Sequence, residues 1–378
     1  MNYLSITKYN LKFYKHMEMS NIFEFRKVNM QRFGKVISAL VIVGGMFLGC
    51  NGDSEEFVQQ ETNSQQESDS QQETDSQLYT QVAIWGTVSD GGDGGGGYGG
   101  GSGGGYGGGS GNSNDDLFNS PNGVVNDAND DIYTTEFQNN RIQKFTTNGE
   151  LLSQWGSTGS ENGQFLNPTG VAIDSEGNIY VSESGNHRVQ KFTANGEWLL
   201  TFGSQGPEQG QFNSAMVLAI DADDNIYVTD WGNGRVQVFN SMGNYLRTIS
   251  GQGTQNGNLS NPTGIKIDSE GNLWVVDRGN NRVQKFTLDG DFLSVYGTSG
   301  SNQGEFLVPT SINFDSEGNF YVSEVNNSRV QVFNPQGQYL GEVGSGLLKA
   351  PHGLTFDSMG FLYITDTGNN VIRKFQRN

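Results

Sequence analysis

Residues 183–192 read Glu-Ser-Gly-Asn-His-Arg-Val-Gln-Lys-Phe, and the chain returns to this pattern again and again. Arg141, Arg188, Arg235, Arg282 and Arg329 stand 47 residues apart, as do Asp127, Asp174, Asp221, Asp268 and Asp315, with Asp357 following after 42. A fixed period of this length marks stacked structural units, none of which can bury its apolar faces alone. Outward from the quoted stretch, one unit spans residues 170–204 as GVAID, NIYVSE, RVQKFT and WLLTFGS, separated by short links. Val189 to Phe192 alternate, and Ile179, Tyr180 and Val181 form a β-branched and aromatic run of the kind buried on both faces. Asn148-Gly149, Asn195-Gly196 and Asp289-Gly290 supply hairpin turns whose central residues tolerate positive φ. Ser175 to Asn178, with counterparts at 269 and 316, closes the preceding hairpin. Four short antiparallel strands per unit predict the blades of a β-propeller, an all-β fold.

The recurring core, acid-x-x-Asn-x-Arg-Val-Gln-(Lys/Val)-Phe, resembles the NHL repeat. Six copies cover residues 117–378. The resemblance implies a six-bladed β-propeller of four-stranded antiparallel blades.

The sixth unit stops after three strands, at Asn378. Residues 81–87, QVAIWGT, look like the fourth strand of other units, with Trp85 in the place of Trp155. Trp155 precedes Pro168 by 13 residues and Trp85 precedes Pro121 by 36, an excess of 23 that the glycine-rich block nearly accounts for. The N-terminal strand is therefore expected to complete the last blade and seal the ring; an open blade would leave an edge prone to pairing with other chains.

Ahead of the repeats, Met30 begins MQRFGKVISALVIVGGMFLGC, with basic Arg32 and Lys35, an apolar run and then Gly49-Cys50. The run is short for a hydrocarbon core of about 30 Å and suits a secretory signal. Its end resembles the bacterial lipobox, with Phe47 where Leu is usual. That resemblance implies lipid on Cys50, membrane attachment, and an exported cell-envelope lipoprotein facing the periplasm or the cell surface. Asn51 is compatible with outer-membrane sorting. The organisation expected is a leader over 1–29, with translation beginning at Met30, then a signal peptide over 30–49, an acidic tether over 50–77 and a ring-closing strand within 78–89. A glycine-rich loop over 90–116 and the propeller over 117–378 follow.

The chain carries a net charge of −19, and residues 117–378 hold 15 basic against 27 acidic side chains. Such a surface repels a phosphate backbone, so nucleic acid is excluded as a partner. One cysteine rules out a disulfide scaffold.

In a propeller the links between second and third strands share a face with the connections between blades. That face is the NHL family's usual binding surface. Its variable link positions are Phe137, Ser184, Trp231, Arg278, Val325 and Thr367, joined by His187. Asn122, Thr169, Met216, Thr263, Thr310 and His352 precede the first strands at the central mouth. The pairs Glu136/Arg141, Glu183/Arg188, Asp230/Arg235, Asp277/Arg282 and Glu324/Arg329 read as structural, because a catalytic pair breaks a repeat's symmetry. In the sixth unit Val371 replaces the arginine, and Asp366 is expected to find Arg373 or to lie unpaired beside His352. Similar propeller lyases bind zinc through several histidines; Thr169, Thr263 and Thr310 stand at the counterparts of His352, so a three-histidine site is unavailable. No nucleophile elbow or phosphate cradle occurs. The function expected is a non-catalytic, monomeric propeller, without cofactor or metal, that binds a protein, peptide or glycan on its link face. The alternative is a propeller hydrolase or lyase with an oxygen-ligated divalent metal at the mouth, as the acidic composition allows.

Overall fold

The computed structural model describes residues 78–86 and 118–378. Cys50, the signal segment, the acidic tether and the glycine-rich block lie outside the described residues. The repeats form six four-stranded antiparallel sheets, each in chain order from the innermost strand outward in the first five blades. In the second blade the strands are Pro168–Ile173, Ile179–Glu183, Arg188–Phe192 and Trp198–Phe202. The only helical elements among the described residues are two single turns, Arg278–Asn280 and Thr367–Asn369.

The sixth blade takes its outer strand from the other end of the folded chain. Tyr79–Trp85 pairs antiparallel with Val371–Arg377, from Tyr79 opposite Arg377 to Trp85 opposite Ile372. This strand begins two residues before the expected segment. Trp85 also occupies the place of Trp155: its indole lies over Gly149 of the first blade as that of Trp155 lies over Gly196 of the second. A Cβ on Gly149 would come within 2.5 Å of the one ring, and a Cβ on Gly196 within 2.8 Å of the other. On the opposite side the Tyr79 hydroxyl meets that of Tyr321 in the fifth blade at 2.6 Å. One strand thus ties the last blade to both its neighbours.

The recurring aspartates acquire a physical reason. Asp221 Oδ1 accepts the backbone amides of Asp223 and Asn225, which closes the turn, while Oδ2 accepts the hydroxyl of Tyr227 at 3.0 Å. Asp127, Asp315 and Asp357 hold Tyr133, Tyr321 and Tyr363 in the same way, and Asp268 holds the Trp274 indole. Those tyrosines are fully buried and, with the β-branched residues beside them, fill the spaces between neighbouring sheets. A large aromatic ring gains its apolar burial there without leaving its hydroxyl unsatisfied.

Candidate functional site

The link face rests on a framework of buried charge. Glu136, Glu183, Asp230, Asp277, Glu324 and Asp366 are all 0% exposed. Each carboxylate pairs with an arginine Nε at 2.5 to 2.8 Å. Each also accepts the backbone amide of the residue 17 positions earlier and the side-chain amide of the link asparagine. Burying an ion pair is tolerated only when its remaining hydrogen-bonding capacity is met in this way. Burial still raises the Glu136 pKa, against the pull of Arg141. The arginines reach on to the connection between blades: Arg188 Nη2 donates to the carbonyls of Glu161 and Gln164, both at 2.9 Å. In the second to fifth blades the pairs thus hold links and connections in place, while in the first and sixth Arg141 turns to Gln154 Oε1 and Arg373 to Gln81 Oε1.

The central mouth is built from a bulge in the innermost strands, such as the shift between Pro121 and Val124. Thr135, Ser182, Thr229, Ser323 and Thr365 each accept the bulge amide of their own blade, that of Gly123, Gly170, Val217, Ser311 and Gly353 respectively. Each donates its proton to the mouth carbonyl of the next blade, Thr169, Met216, Thr263, His352 and Asn122. The blades approach so closely here that a Cβ on Gly123 would lie 2.5 Å from the Thr169 carbonyl oxygen, and one on Gly353 2.5 Å from that of Asn122. In the fourth blade Val276 replaces the hydroxyl. There the strands pair directly, Thr263 N donating to Val276 O and Val276 N to Gly264 O.

This geometry sorts the expected residues. Asn122, Met216, Thr263, Thr310 and His352 line a central cavity of about 190 Å³, together with Arg278 from the link ring. Thr169 does not: it is wholly buried, its hydroxyl donating to the Met216 carbonyl at 2.6 Å. Thr367 also leaves the open ring, because its buried hydroxyl holds the Pro121 carbonyl at 2.5 Å. His187 serves as an inter-blade tie. With φ at +54° it turns Nδ1 to accept the Ser214 amide at 2.9 Å, the job done by Asn140 for Asn167 and by Asn281 for Val308. Burial lowers its pKa, opposed by the Asp230 charge. Phe137, Ser184, Trp231 and Val325 remain half-buried on the link face, with the Ser184 hydroxyl on the Asn167 carbonyl. Asp366 does find Arg373, through Nε at 2.5 Å.

His352 is the one titratable residue among those at the mouth positions. Part of its ring faces the cavity, but the surrounding protein withholds bulk water and pushes its pKa down to about 4, the Arg278 charge adding to the effect of burial and a bond to the Ala350 carbonyl opposing it. Lys266 is the lining residue that the reading of the sequence missed. Its signal was present: the strand registers put Val125, Ala172, Ala219, Asn313 and Thr355 at the equivalent positions, so a lysine breaks the repeat.

A divalent cation does not fit this lining. Among the described residues the cavity presents Lys266, Arg278 and His352 and no carboxylate, and no group of three His, Cys, Asp or Glu side chains stands together anywhere. Hard cations need several oxygen ligands, usually anionic ones.

Fold and site together define a six-bladed β-propeller with a narrow, mostly apolar central cavity and a variable link face. The chain belongs to the virginiamycin B lyase family, whose model matches residues 114–374. The family that matches is not the NHL repeat, although the ring of six four-stranded blades which that resemblance implied is present. None of the curated proteins matches the chain. Among solved structures, a catalytically inactive variant of virginiamycin B lyase from Staphylococcus aureus with quinupristin shares 16% identity at a TM-score of 0.52, covering 68% of this chain and 80% of that one. A gluconolactonase from Xanthomonas campestris shares 17% identity at a TM-score of 0.56, covering 70% and 88%. At such identities the likeness carries the fold alone.

Proposed function

We propose that the protein is a non-catalytic propeller that captures a protein, peptide or glycan on its link face, held at the bacterial cell envelope by lipid on Cys50. The observation that carries this reading is the division between framework and variable positions in the links. In all six blades the link acid is fully buried and paired, while Phe137, Ser184, Trp231, Arg278 and Val325, each one residue further on, keep part of their surface accessible. A rigid frame that presents different side chains at equivalent points suits recognition, and Trp and Arg are the residues on which binding energy concentrates. The NHL-like links belong to this reading, as does a monomeric state in which the face stays open.

Peptide and glycan arrays probed with the intact protein test it. Trp231→Ala and Arg278→Ala should each weaken capture at least tenfold while the melting temperature stays nearly constant. Capture unchanged in both variants would refute the reading. Metabolic labelling with a palmitate analogue, lost in Cys50→Ala, tests the anchor separately.

Family membership favours a second reading, in which a lyase acts at the mouth with neutral His352 taking a proton beside Arg278. Its oxygen-ligated metal would have to find ligands beyond the described lining. Conversion of quinupristin to a product of altered mass or fragmentation, followed by mass spectrometry and abolished in His352→Ala, would replace the binding reading with this one.

A further inference from the structure

Lys266 belongs to the innermost strand of the fourth blade, Ile265–Ile267, and lines the central cavity. It also lines a second cavity of about 670 Å³ on the opposite face, among the turns that carry Asp268 and Asp315. No hydrogen bond or ion pair of its ammonium occurs among the described residues, and burial holds its pKa below the ordinary lysine value with no nearby charge to offset it. The walls beside it are apolar: Val125, Ile173, Ile220 and Ile267. Its polar equivalents in neighbouring blades are already engaged, Asn313 donating one amide hydrogen to the Leu354 carbonyl at 2.8 Å and Thr355 its hydroxyl hydrogen to Asn126 Oδ1 at 2.7 Å. At the mouth above stand Arg278 and His352.

A lone cation at the waist of an apolar channel is complementary to a molecule with an apolar body and an anionic end. We propose that the central channel binds a small monocarboxylic acid with an apolar tail, its carboxylate paired with Lys266 and its tail against the isoleucine walls. The level offers one cation, which suits a single negative charge better than a phosphate. The cavity falls below the roughly 300 Å³ of common small-molecule pockets, which limits the guest to a short chain or a single ring. In the central cavity Lys266 and Arg278 face no carboxylate and so draw an anion there, whereas the second cavity carries Asp268, Glu270, Asp315 and Glu317 and repels one. Arg278 is common to this site and the link face, whereas Lys266 and the isoleucine walls lie outside that face, so Lys266 variants test this site without touching the link face.

Isothermal titration of the intact protein with hexanoate and benzoate, with hexanol as the uncharged control, tests the proposal. One acid should bind with unit stoichiometry, hexanol at least tenfold more weakly, and Lys266→Met should weaken the acid at least tenfold, since methionine keeps the reach and loses the charge. Should Lys266→Met fail to fold, Lys266→Gln serves the same comparison, and the contrast between acid and alcohol on the unaltered protein stands without either variant. No binding of either acid, hexanol binding as tightly as hexanoate, or undiminished binding in the folded variant would each overturn it.

Discussion

Arg373 reaches Asp366 from a position two residues beyond the one that the other five link arginines occupy. Its Nε lies 2.5 Å from Oδ2, and Nη1 donates to Gln81 Oε1 of the ring-closing strand at 2.6 Å. Elsewhere that position is a glutamine, such as Gln190 or Gln331. The connection entering the sixth blade is short, as the 42-residue spacing shows, so it lacks the long loop whose carbonyls an arginine at Val371 would hold. Arg373→Gln restores the repeat's residue and strands a carboxylate that is fully buried. We expect a loss of about 3 to 5 kcal/mol in chemical denaturation, as when one partner of a buried pair is removed. Adding Val371→Arg should return part of it, because the guanidinium then approaches along the route used in the other blades; no recovery would show that an arginine at 371 does not reach Asp366 without the long connecting loop.

The closing strand makes a second prediction. Trp85 packs its indole against Tyr363 and Phe145, with ring centroids 5.3 and 5.9 Å away, across the seam where the two ends of the ring meet. Trp85→Ala should cost about 3 to 5 kcal/mol. Trp155→Ala, at a partly exposed ring in the covalently continuous part of the ring, should cost less. Thermal melts of the two variants check the order, and equal losses would mean that the seam is no weaker than any other joint.

The 47-residue spacing, the Asn-Gly turns and the Trp85 match carried the blades and their closure, because each reflects a demand made identically in every unit. The link acids and arginines were legible as structural for the same reason. What could not be read was which of two identical residues at equivalent points faces the channel. Thr169 and Thr310 align, yet Thr169 turns wholly into the Met216 carbonyl while Thr310 also borders the cavity. The difference lies in the bulge register and in what the next blade offers, and neither is local to the sequence. The tie that His187 makes was hidden by its type, since its position asks for an acceptor in a left-handed backbone conformation, which asparagine supplies elsewhere. Lys266 was visible as a break in the repeat, but its meaning depends on innermost strands from several blades converging on one channel.

The hydroxyls around the mouth should prove costly to remove. Thr229 Oγ1 accepts the Val217 amide at 2.9 Å and donates to the Thr263 carbonyl at 2.8 Å, both in the buried seam between the third and fourth blades. Thr229→Val keeps the shape and leaves a donor and an acceptor unmet, so about 1 to 3 kcal/mol should be lost. Thr80, whose hydroxyl bonds the exposed Asn378, offers the control: Thr80→Val should change stability by less than about 0.5 kcal/mol. Urea titrations of both variants decide it, and a Thr229→Val as stable as the parent would mean that the seam relaxes to re-pair its backbone.

His352 gives the fold a dependence on acid. Its pKa is near 4 in the folded protein, against about 6.5 in an unfolded chain. Above about pH 6.5 the imidazole is neutral in both states, and the residue adds no pH dependence. Between about pH 6.5 and 4 the unfolded chain takes up a proton that the folded protein refuses, so stability falls as pH falls through this window and levels off below it. Allowing for the part of the ring that faces the cavity, the loss should be on the order of 2 kcal/mol. Comparing stability at about pH 7 and about pH 4.5 in the parent and in His352→Gln isolates this contribution, because the carboxylates titrate alike in both. The variant should lose less than the parent over that interval, and the imidazole C–H resonance of His352 should titrate near pH 4 by NMR. A resonance titrating near about 6.5 would place the ring in open water and remove the electrostatic argument for a sheltered mouth.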